Sequence, residues 1–197
     1  MPTNKIRITQ SLLSAWEYGL KSDDGYGDFL RTLNREKKQP TQAMLDGIRY
    51  ENVLNSVLNG EQIPDDHEWK FPITEMAREL DGAQQQVTLF LDYDVDGQAL
   101  LLHGVLDYLR EGLIWDCKYS KTYHLNKYLG SPQTSMYMSL VPEARCFTYI
   151  ICDGKYVYRE RYPRDIVPSI EPELRAFMKF CKQHDLWKTF EERWSVQ

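Results

Sequence analysis

A long stretch of strand-forming residues in the middle of the chain constrains the fold most. Three segments rich in branched and aromatic residues follow one another along the chain: Val87 to Val95, Ala99 to Leu109 and Leu113 to Tyr119. The breaks between them contain Asp96-Gly97 and Glu111-Gly112, and pairs ending in Gly are typical of tight β-hairpin turns. The pattern therefore predicts an antiparallel meander of three strands.

Helical periodicity predicts the elements that precede the meander. Residues 9–20 predict a short helix capped by Thr9 or Ser11, and residues 21–40, which include two glycines, predict a loose connection. Residues 41–59 predict a longer helix. The apolar residues at helical spacing, expected on its buried face, are Leu45, Ile48, Val53 and Leu58.

The elements after the meander alternate between helix and strand. Ser131-Pro132 is a typical helix start and predicts a helix to about Leu140. Residues 146–152 and 156–162 predict a second hairpin, and residues 172–194 a final helix. This alternation predicts an α/β fold in which a mixed central β-sheet is flanked by helices. We expect a single domain over residues 1–197.

Composition excludes several classes of protein. With 42% hydrophobic and 27% charged residues, the 197-residue chain is typical of a globular domain. It has no apolar run of membrane-spanning length, and Met1 to Thr9 lacks the character of a signal peptide, so we expect a cytoplasmic protein. The net charge of -5 argues against a broad basic DNA-coating surface. The four cysteines have no metal-binding spacing, and reduced thiols are expected.

The second hairpin turn of the meander brings charged residues together. If Glu111-Gly112 is a two-residue turn, Arg110 pairs with Leu113, and Asp107 then lies opposite Asp116. Lys118 follows two residues later and projects from the same face as Asp116. A longer loop with a bulge would change this register.

Two carboxylates opposite each other repel unless a cation compensates them. Lys118 compensates them in part, and a divalent ion such as Mg²⁺, which prefers oxygen ligands, compensates them fully. The segment therefore indicates a metal site at Asp107 and Asp116. A buried Asp-Lys-Asp salt-bridge cluster without a function is the alternative that these residues alone leave open.

Four motifs in order resemble the PD-(D/E)XK nuclease superfamily. Asp107, followed after a turn by Asp116-Cys117-Lys118, resembles its second and third motifs. Gln133-Thr134-Ser135-Met136-Tyr137 resembles the Q-x-x-x-Y motif of RecB-like nucleases, and Gly47-Ile48-Arg49-Tyr50-Glu51 the G-x-x-x-E of phage-lambda-type exonucleases. The start, Ile8-Thr9-Gln10-Ser11-Leu12-Leu13, is also similar to the RecB-like amino terminus. The resemblance covers about Ile8 to Tyr162, and Leu106 stands where the superfamily has Pro.

This resemblance implies a restriction-endonuclease-like core and a Mg²⁺-dependent deoxyribonuclease, with Mn²⁺ able to substitute. It implies that Asp107, Asp116 and the backbone carbonyl of Cys117 hold the metal, with Glu51 completing the site or binding a second ion, while Lys118 orients water and stabilises developing charge. A solvated helix face is the alternative for Glu51. The RecB and lambda features favour an exonuclease acting on linear or single-stranded DNA ends in recombination or repair, and a phage origin would fit them. Homo-oligomers or a recombination partner protein would fit such a role. Because no cysteine precedes Cys117, no iron-sulfur cluster is expected.

Residues for DNA contact are expected on and before the helix that begins at Ser131. Gln133 and Tyr137, four residues apart, share a helical face, and the resemblance implies that they touch the substrate strand. The alternative is a helix without a role in DNA contact, in which Tyr137 is a core residue and Gln133 is solvated. Lys121 and Lys127 lie among aromatic residues, a pattern that suits single-strand binding or equally a lysine-fringed surface.

Two other functions remain open on the same fold. One is a structure-specific endonuclease. The other is a DNA-binding or assembly module that no longer cleaves. The complete carboxylate-lysine set favours a nuclease over the second alternative, since a chain freed from catalysis gains nothing from opposed carboxylates.

Overall fold

A mixed β-sheet organises the protein, whose computed structural model describes residues 5–196. Met1 to Asn4, which belong to the stretch inspected for a signal peptide, and Gln197 lie outside the described residues. Within residues 5–196 the sheet has six strands, namely β1 (Ile6–Thr9), β2 (Gln84–Val95), β3 (Gln98–Arg110), β4 (Leu113–Tyr119), β5 (Cys146–Cys152) and β6 (Val157–Pro163). Their order is β1-β3-β4-β5-β6, and β2 pairs along the other edge of β3.

Helices cover both faces of the sheet. They are α1 (Gln10–Gly19), α2 (Asp23–Leu33), α3 (Gln42–Leu58), α4 (Lys70–Leu80), α5 (Pro132–Leu140), α6 (Glu171–Gln183) and α7 (Trp187–Trp194). One apolar core joins the sheet to α1, α2, α5, α6 and α7. A second core, which includes Tyr108 and Trp115, joins the opposite face to α3 and α4. The predicted α/β fold with a mixed central sheet between helices is therefore confirmed.

The predicted local elements are mostly present. β2, β3 and β4 form the antiparallel meander, with Arg110 paired to Leu113 across Glu111-Gly112 as the turn predicts. Thr9 caps α1 through its hydroxyl, which accepts from the Leu12 N–H, and Ser131 caps α5 in the same way. β5 and β6 form the second hairpin, and all four cysteines are free thiols.

The prediction of a loose connection over residues 21–40 is wrong, because α2 occupies its first half. Ser22 caps this helix by accepting from the Gly25 N–H, and Phe29 and Leu33 are fully buried. Gly25 does not break the helix. A Cβ there would lie 2.4 Å from the carbonyl oxygen of Tyr18, so this glycine permits close packing of α1 on α2.

The apolar face predicted for α3 is only partly buried. Leu45 and Ile48 are 44% and 51% exposed, whereas Val53 and Leu58 pack on the second core, in which Tyr50 and Leu54 are fully buried. The first turns of α3 therefore extend beyond the core, and only its second half packs on α4 and the sheet.

Three further elements differ from the predictions. β1 and α4 were not predicted, and the expected helix over residues 172–194 is interrupted between α6 and α7. The interruption follows from Asp185, whose φ of 58° is left-handed and incompatible with a continuous helix. No helix within residues 5–196 combines the length and apolar character needed to cross a membrane.

Candidate active site

The site lies where the sheet divides. β2 pairs with β3 along nearly its whole length, so β1 and β4 share the other edge of β3. β1 occupies that edge as far as His103, and β4 occupies it from Tyr108 onward. Residues 104–107 have neither partner, and we call this opening the fork. It leaves Asp107 at the point where β3 and β4 separate.

The predicted pairing of Asp107 with Asp116 does not occur. The β3–β4 ladder runs from Arg110–Leu113 to Tyr108–Trp115 and ends there, one residue short of the two aspartates. Instead, Oδ2 of Asp107 accepts a hydrogen bond of 3.0 Å from the Cys117 N–H. β1 occupies the same edge of β3 up to His103, so Asp107 lies between the two ladders and belongs to neither. The two carboxylates are neighbours across a gap rather than a cross-strand pair.

Asp116 is the most buried member of the site, at 2% exposed. Its Oδ1 accepts a hydrogen bond from Nε2 of Gln133, and its Oδ2 lies 2.6 Å from Nζ of Lys118. Oδ2 has no partner in hydrogen-bonding geometry among the described residues, so its contact with Lys118 is an ion pair only. The side chain of Lys118 is 32% exposed and can be reached from solvent.

Crowded carboxylates shift the ionisation of the whole group. Burial, reinforced by the charge of Asp116, raises the pKa of Asp107 to about 8. Burial disfavours the ammonium form of Lys118, but the charges of Asp116 and Asp107 outweigh it and raise its pKa. The site therefore disfavours the charged form of Asp107, and a further cation beside its carboxylate would favour that form.

Glu51 reaches the same place from α3. Burial and the charge of Asp116 raise the pKa of its carboxyl, which shows that the two groups share one electrostatic environment. Its Oε1 accepts a hydrogen bond of 2.8 Å from Nε2 of Gln86. Gln86 has a φ of 52° and stands opposite Asp107, where the β2–β3 ladder is interrupted. This distortion of β2 places its side chain beside Glu51.

The two residues predicted to contact DNA from α5 are directed inward. Gln133 and Tyr137 are each 5% exposed. Gln133 bonds to Asp116, and the hydroxyl of Tyr137 donates a hydrogen bond of 2.8 Å to the carbonyl of Val105 inside the fork. A Cβ on Gly104 would lie 2.6 Å from Leu140 and 2.8 Å from Tyr137, so α5 packs directly into this opening. Their contact with DNA stays a prediction.

Lys121 and Lys127 lie in the segment between β4 and α5. Nζ of Lys121 is 3.0 Å from Oδ2 of Asp46 on α3, and Nζ of Lys127 donates to the Ser120 hydroxyl at 2.6 Å. Both line a cavity of about 360 Å³ between this segment and α3. The structure brings them together beside Lys118, and their contact with DNA also stays a prediction.

The donors at the fork are oxygens, the ligand type that Mg²⁺ and Mn²⁺ prefer. In residues 5–196, no group of three or more His, Cys, Asp or Glu side chains is gathered closely enough to hold a metal ion as the side chains stand. The buried Oδ2 of Asp116 has Lys118 as its charged neighbour, at 2.6 Å.

Two residues that sequence reasoning missed complete the surroundings. Gln86 supports Glu51, and no periodicity marked it within the run Gln84 to Gln86. The hydroxyl of Tyr149 on β5 donates to Oε1 of Gln133 at 3.3 Å, and its ring lies 5.9 Å from Nζ of Lys118. Only the parallel pairing of β4 with β5, which sets Tyr149 beside Asp116, reveals this residue.

Comparison with known proteins supports the fold. No protein-family model and no curated protein sequence matches the chain. Among solved structures, LHK-Exo in complex with dAMP is similar with a TM-score of 0.54 and 13% identity over 94% of this chain and 91% of that chain. The crystal structure of SSO0001 is similar with a TM-score of 0.53 and 15% identity, over 93% and 79% of the two chains. At these identities the similarity establishes a shared fold and nothing finer.

Proposed function

We propose that the protein is a divalent-metal-dependent nuclease that hydrolyses DNA phosphodiester bonds, acting from DNA ends in recombination or repair. The observation that carries the proposal is the convergence of Asp107, Asp116, Glu51 and Lys118 at the fork, with one lysine for three carboxylates. The fold is shared with LHK-Exo, an exonuclease solved with a nucleotide, and this supports the same reading.

The residues present fit a Mg²⁺ site by three criteria. Their ligating atoms are oxygens, burial raises the pKa of Asp107 so that a cation would favour its charged form, and Asp116 is buried beside the one lysine of the site. Asp107, Asp116 and Glu51 would hold the ion together with the carbonyl of Cys117, a residue whose N–H already bonds to Asp107. Bound there, the ion would lower the pKa of a water molecule and withdraw charge from the phosphoryl oxygens.

The remaining residues position the reacting groups. Lys118 keeps its ammonium form beside Asp116, so it can orient the attacking water and stabilise the negative charge that develops on phosphate. Gln133 fixes Asp116 through Oδ1, and Lys118 pairs with Oδ2. Tyr137 holds the fork open on the β3 side by binding the Val105 carbonyl. Lys121 and Lys127 would receive the phosphates of the incoming strand.

Incubation with end-labelled linear DNA and with closed circular DNA tests the proposal. Degradation of linear DNA with Mg²⁺ or Mn²⁺, none with EDTA, and longer survival of circles are the expected results. Equal cleavage of circles would instead show an endonuclease. The absence of cleavage with either metal would leave a DNA-binding or assembly module and refute the proposed activity.

A further inference from the structure

The face of the sheet that meets α3 continues along β2 and β3 as an open surface. Leu106 of β3 lies in the core on the α5 side, so Val105 and His103, which alternate with it, point to the opposite face. Val105 is 36% exposed, and Asp107 follows it by two residues. At about 3.3 Å per residue, Asp107 and His103 lie about 13 Å apart along the strand. The open face therefore leads directly away from the carboxylates.

Two aromatic rings stand on this face at the end farther from Asp107. Leu89 and Leu91 of β2 pack on the core under α5, so Phe90 between them shares the face of His103. The two residues pair across the strands, and their ring centroids are 4.5 Å apart with planes 8° from parallel. Phe90 is 54% exposed, so much of this ring pair stays in solvent. Such a pair offers a flat face on which a further planar group can stack.

Two arginines lie beside these rings. Arg7 of β1 alternates with core residues and therefore shares the face of His103. Burial, and then the charge of Arg7, lowers the pKa of Arg35 and that of His103, which places the three groups close together. No carboxylate within residues 5–196 offsets either effect, and the neighbouring Asp92 already pairs with Lys5 at 2.7 Å. We call Phe90, His103, Arg7 and Arg35 the platform.

We infer that the platform binds single-stranded DNA, with one base stacked on its rings and the phosphates held by its arginines. Two like charges held together without a counter-ion attract an anion, and exposed rings favour a flat partner. Single-stranded DNA supplies both, because its phosphates recur along the chain and the faces of its bases are free. In a duplex those faces are stacked inside the helix and reach a side-chain ring only after unstacking.

The inference deepens the proposed function and rests on it, because one strand would run from the platform to the carboxylates. The distance of about 13 Å from His103 to Asp107 corresponds to about four nucleotides at the 3.4 Å spacing of a stacked strand. The chain as a whole has a net charge of -5, so a local pair of arginines beside aromatic rings suits it better than a broad basic surface.

Fluorescence anisotropy in EDTA tests the platform without metal or cleavage. The probes are a labelled oligothymidine of about ten nucleotides and an abasic strand with the same number of phosphates. We expect the oligothymidine to bind about tenfold more tightly, because the abasic strand has no ring to stack. Phe90→Ala should remove that advantage and leave the affinity for the abasic strand unchanged. Arg7→Gln should weaken both complexes and lower the slope of log affinity against log salt by about one.

Two matched controls replace residues of the same types elsewhere on the surface. Phe71→Ala removes a phenylalanine of α4 that is 65% exposed, and Arg175→Gln removes an arginine that pairs with Asp96 and Glu171. Neither should change either affinity, and melting curves should show that all four variants are folded.

Equal binding of the two probes, or no binding of either, would overturn the inference. An unchanged affinity of Phe90→Ala for oligothymidine would also overturn it. So would tighter binding of a duplex than of the single strand, if Phe90→Ala leaves the duplex affinity unchanged. Cleavage of DNA without the expected differences in binding refutes the platform alone, and the expected differences without cleavage refute the nuclease alone.

Discussion

Replacing Asp107 with Asn separates a metal site from a structural salt bridge by its effect on stability. The pKa of Asp107 is about 8 in the folded protein, against 3.8 for an ordinary Asp. The folded state therefore holds this proton more tightly than the unfolded state. The stability that the protonated form contributes is complete below about pH 4 and is lost as the pH rises towards 8. Asn cannot ionise, so the variant keeps that stability.

The size of the effect follows from the shift. Nearly three units of the rise in the pKa of Asp107 lie between about pH 5 and pH 8. One pKa unit corresponds to about 1.4 kcal/mol, so over this range the free energy of unfolding of the parent falls by about 4 kcal/mol at most. Because Asp107 is partly exposed and water screens its charge, about 2 kcal/mol is the more realistic value. For a protein of this size, 1 kcal/mol moves the melting temperature by about 2–4 °C. Between about pH 5 and pH 8, the melting temperature of the parent should therefore fall by about 4–8 °C relative to that of the variant.

The assay is a thermal melt of both proteins in EDTA at about pH 5 and about pH 8. Titrating groups remote from Asp107, such as Glu173, change both proteins alike and cancel in the difference. Mg²⁺ should then raise the melting temperature of the parent at pH 8 and raise that of Asp107→Asn much less. If the variant instead melts well below the parent in EDTA, Asp107 serves a salt bridge with Lys118. Such a drop, with no effect of Mg²⁺ on the parent, would refute the metal site.

Three further predictions concern the neighbours of Asp107. Lys118→Ala should lower the cleavage rate by about 100-fold or more while metal and DNA affinities stay nearly unchanged, and near-parental turnover would remove its assigned role. Gln133→Ala removes the hydrogen-bond donor to Asp116 and should weaken oligonucleotide binding without changing metal affinity. Fluorescence anisotropy in Ca²⁺ measures this binding, and unchanged binding and cleavage would make Gln133 purely structural. Tyr137→Phe leaves the Val105 carbonyl without its hydrogen-bond donor and should lower the free energy of unfolding in urea by about 1–3 kcal/mol. An unchanged midpoint of the urea unfolding curve would show that this hydrogen bond does not stabilise the protein.

Local pattern was enough to predict the meander and to bring Asp107, Asp116 and Lys118 into one neighbourhood. Alternation and turn residues specify β2 to β4 and their register at Arg110–Leu113, because neighbouring strands joined by a short turn have little freedom. Extending that register to Asp107 and Asp116 failed for a non-local reason. β1, a strand of four residues too short to stand out, occupies the edge of β3 that β4 would otherwise follow.

The supporting residues could not be derived from spacing. Gln133 and Tyr137 were correctly placed on one helix, but whether that face points to solvent or into the sheet depends on how α5 packs. Gly104, which has no side chain, lets α5 approach and turns both residues inward. Gln86 and Tyr149 reach the site through distant pairings, namely β2 with β3 and β4 with β5, which no local window contains.

The fork also constrains how related sequences can diverge. Since a Cβ at Gly104 would lie 2.6 Å from Leu140 and 2.8 Å from Tyr137, a larger residue at position 104 requires a smaller one at 137 or 140. These three positions should therefore covary among homologues, independently of whether the carboxylates are retained. A lineage that lost catalysis but kept the opened sheet would preserve this steric correlation. The correlation would thus identify the architecture in sequences where the acidic motif has vanished.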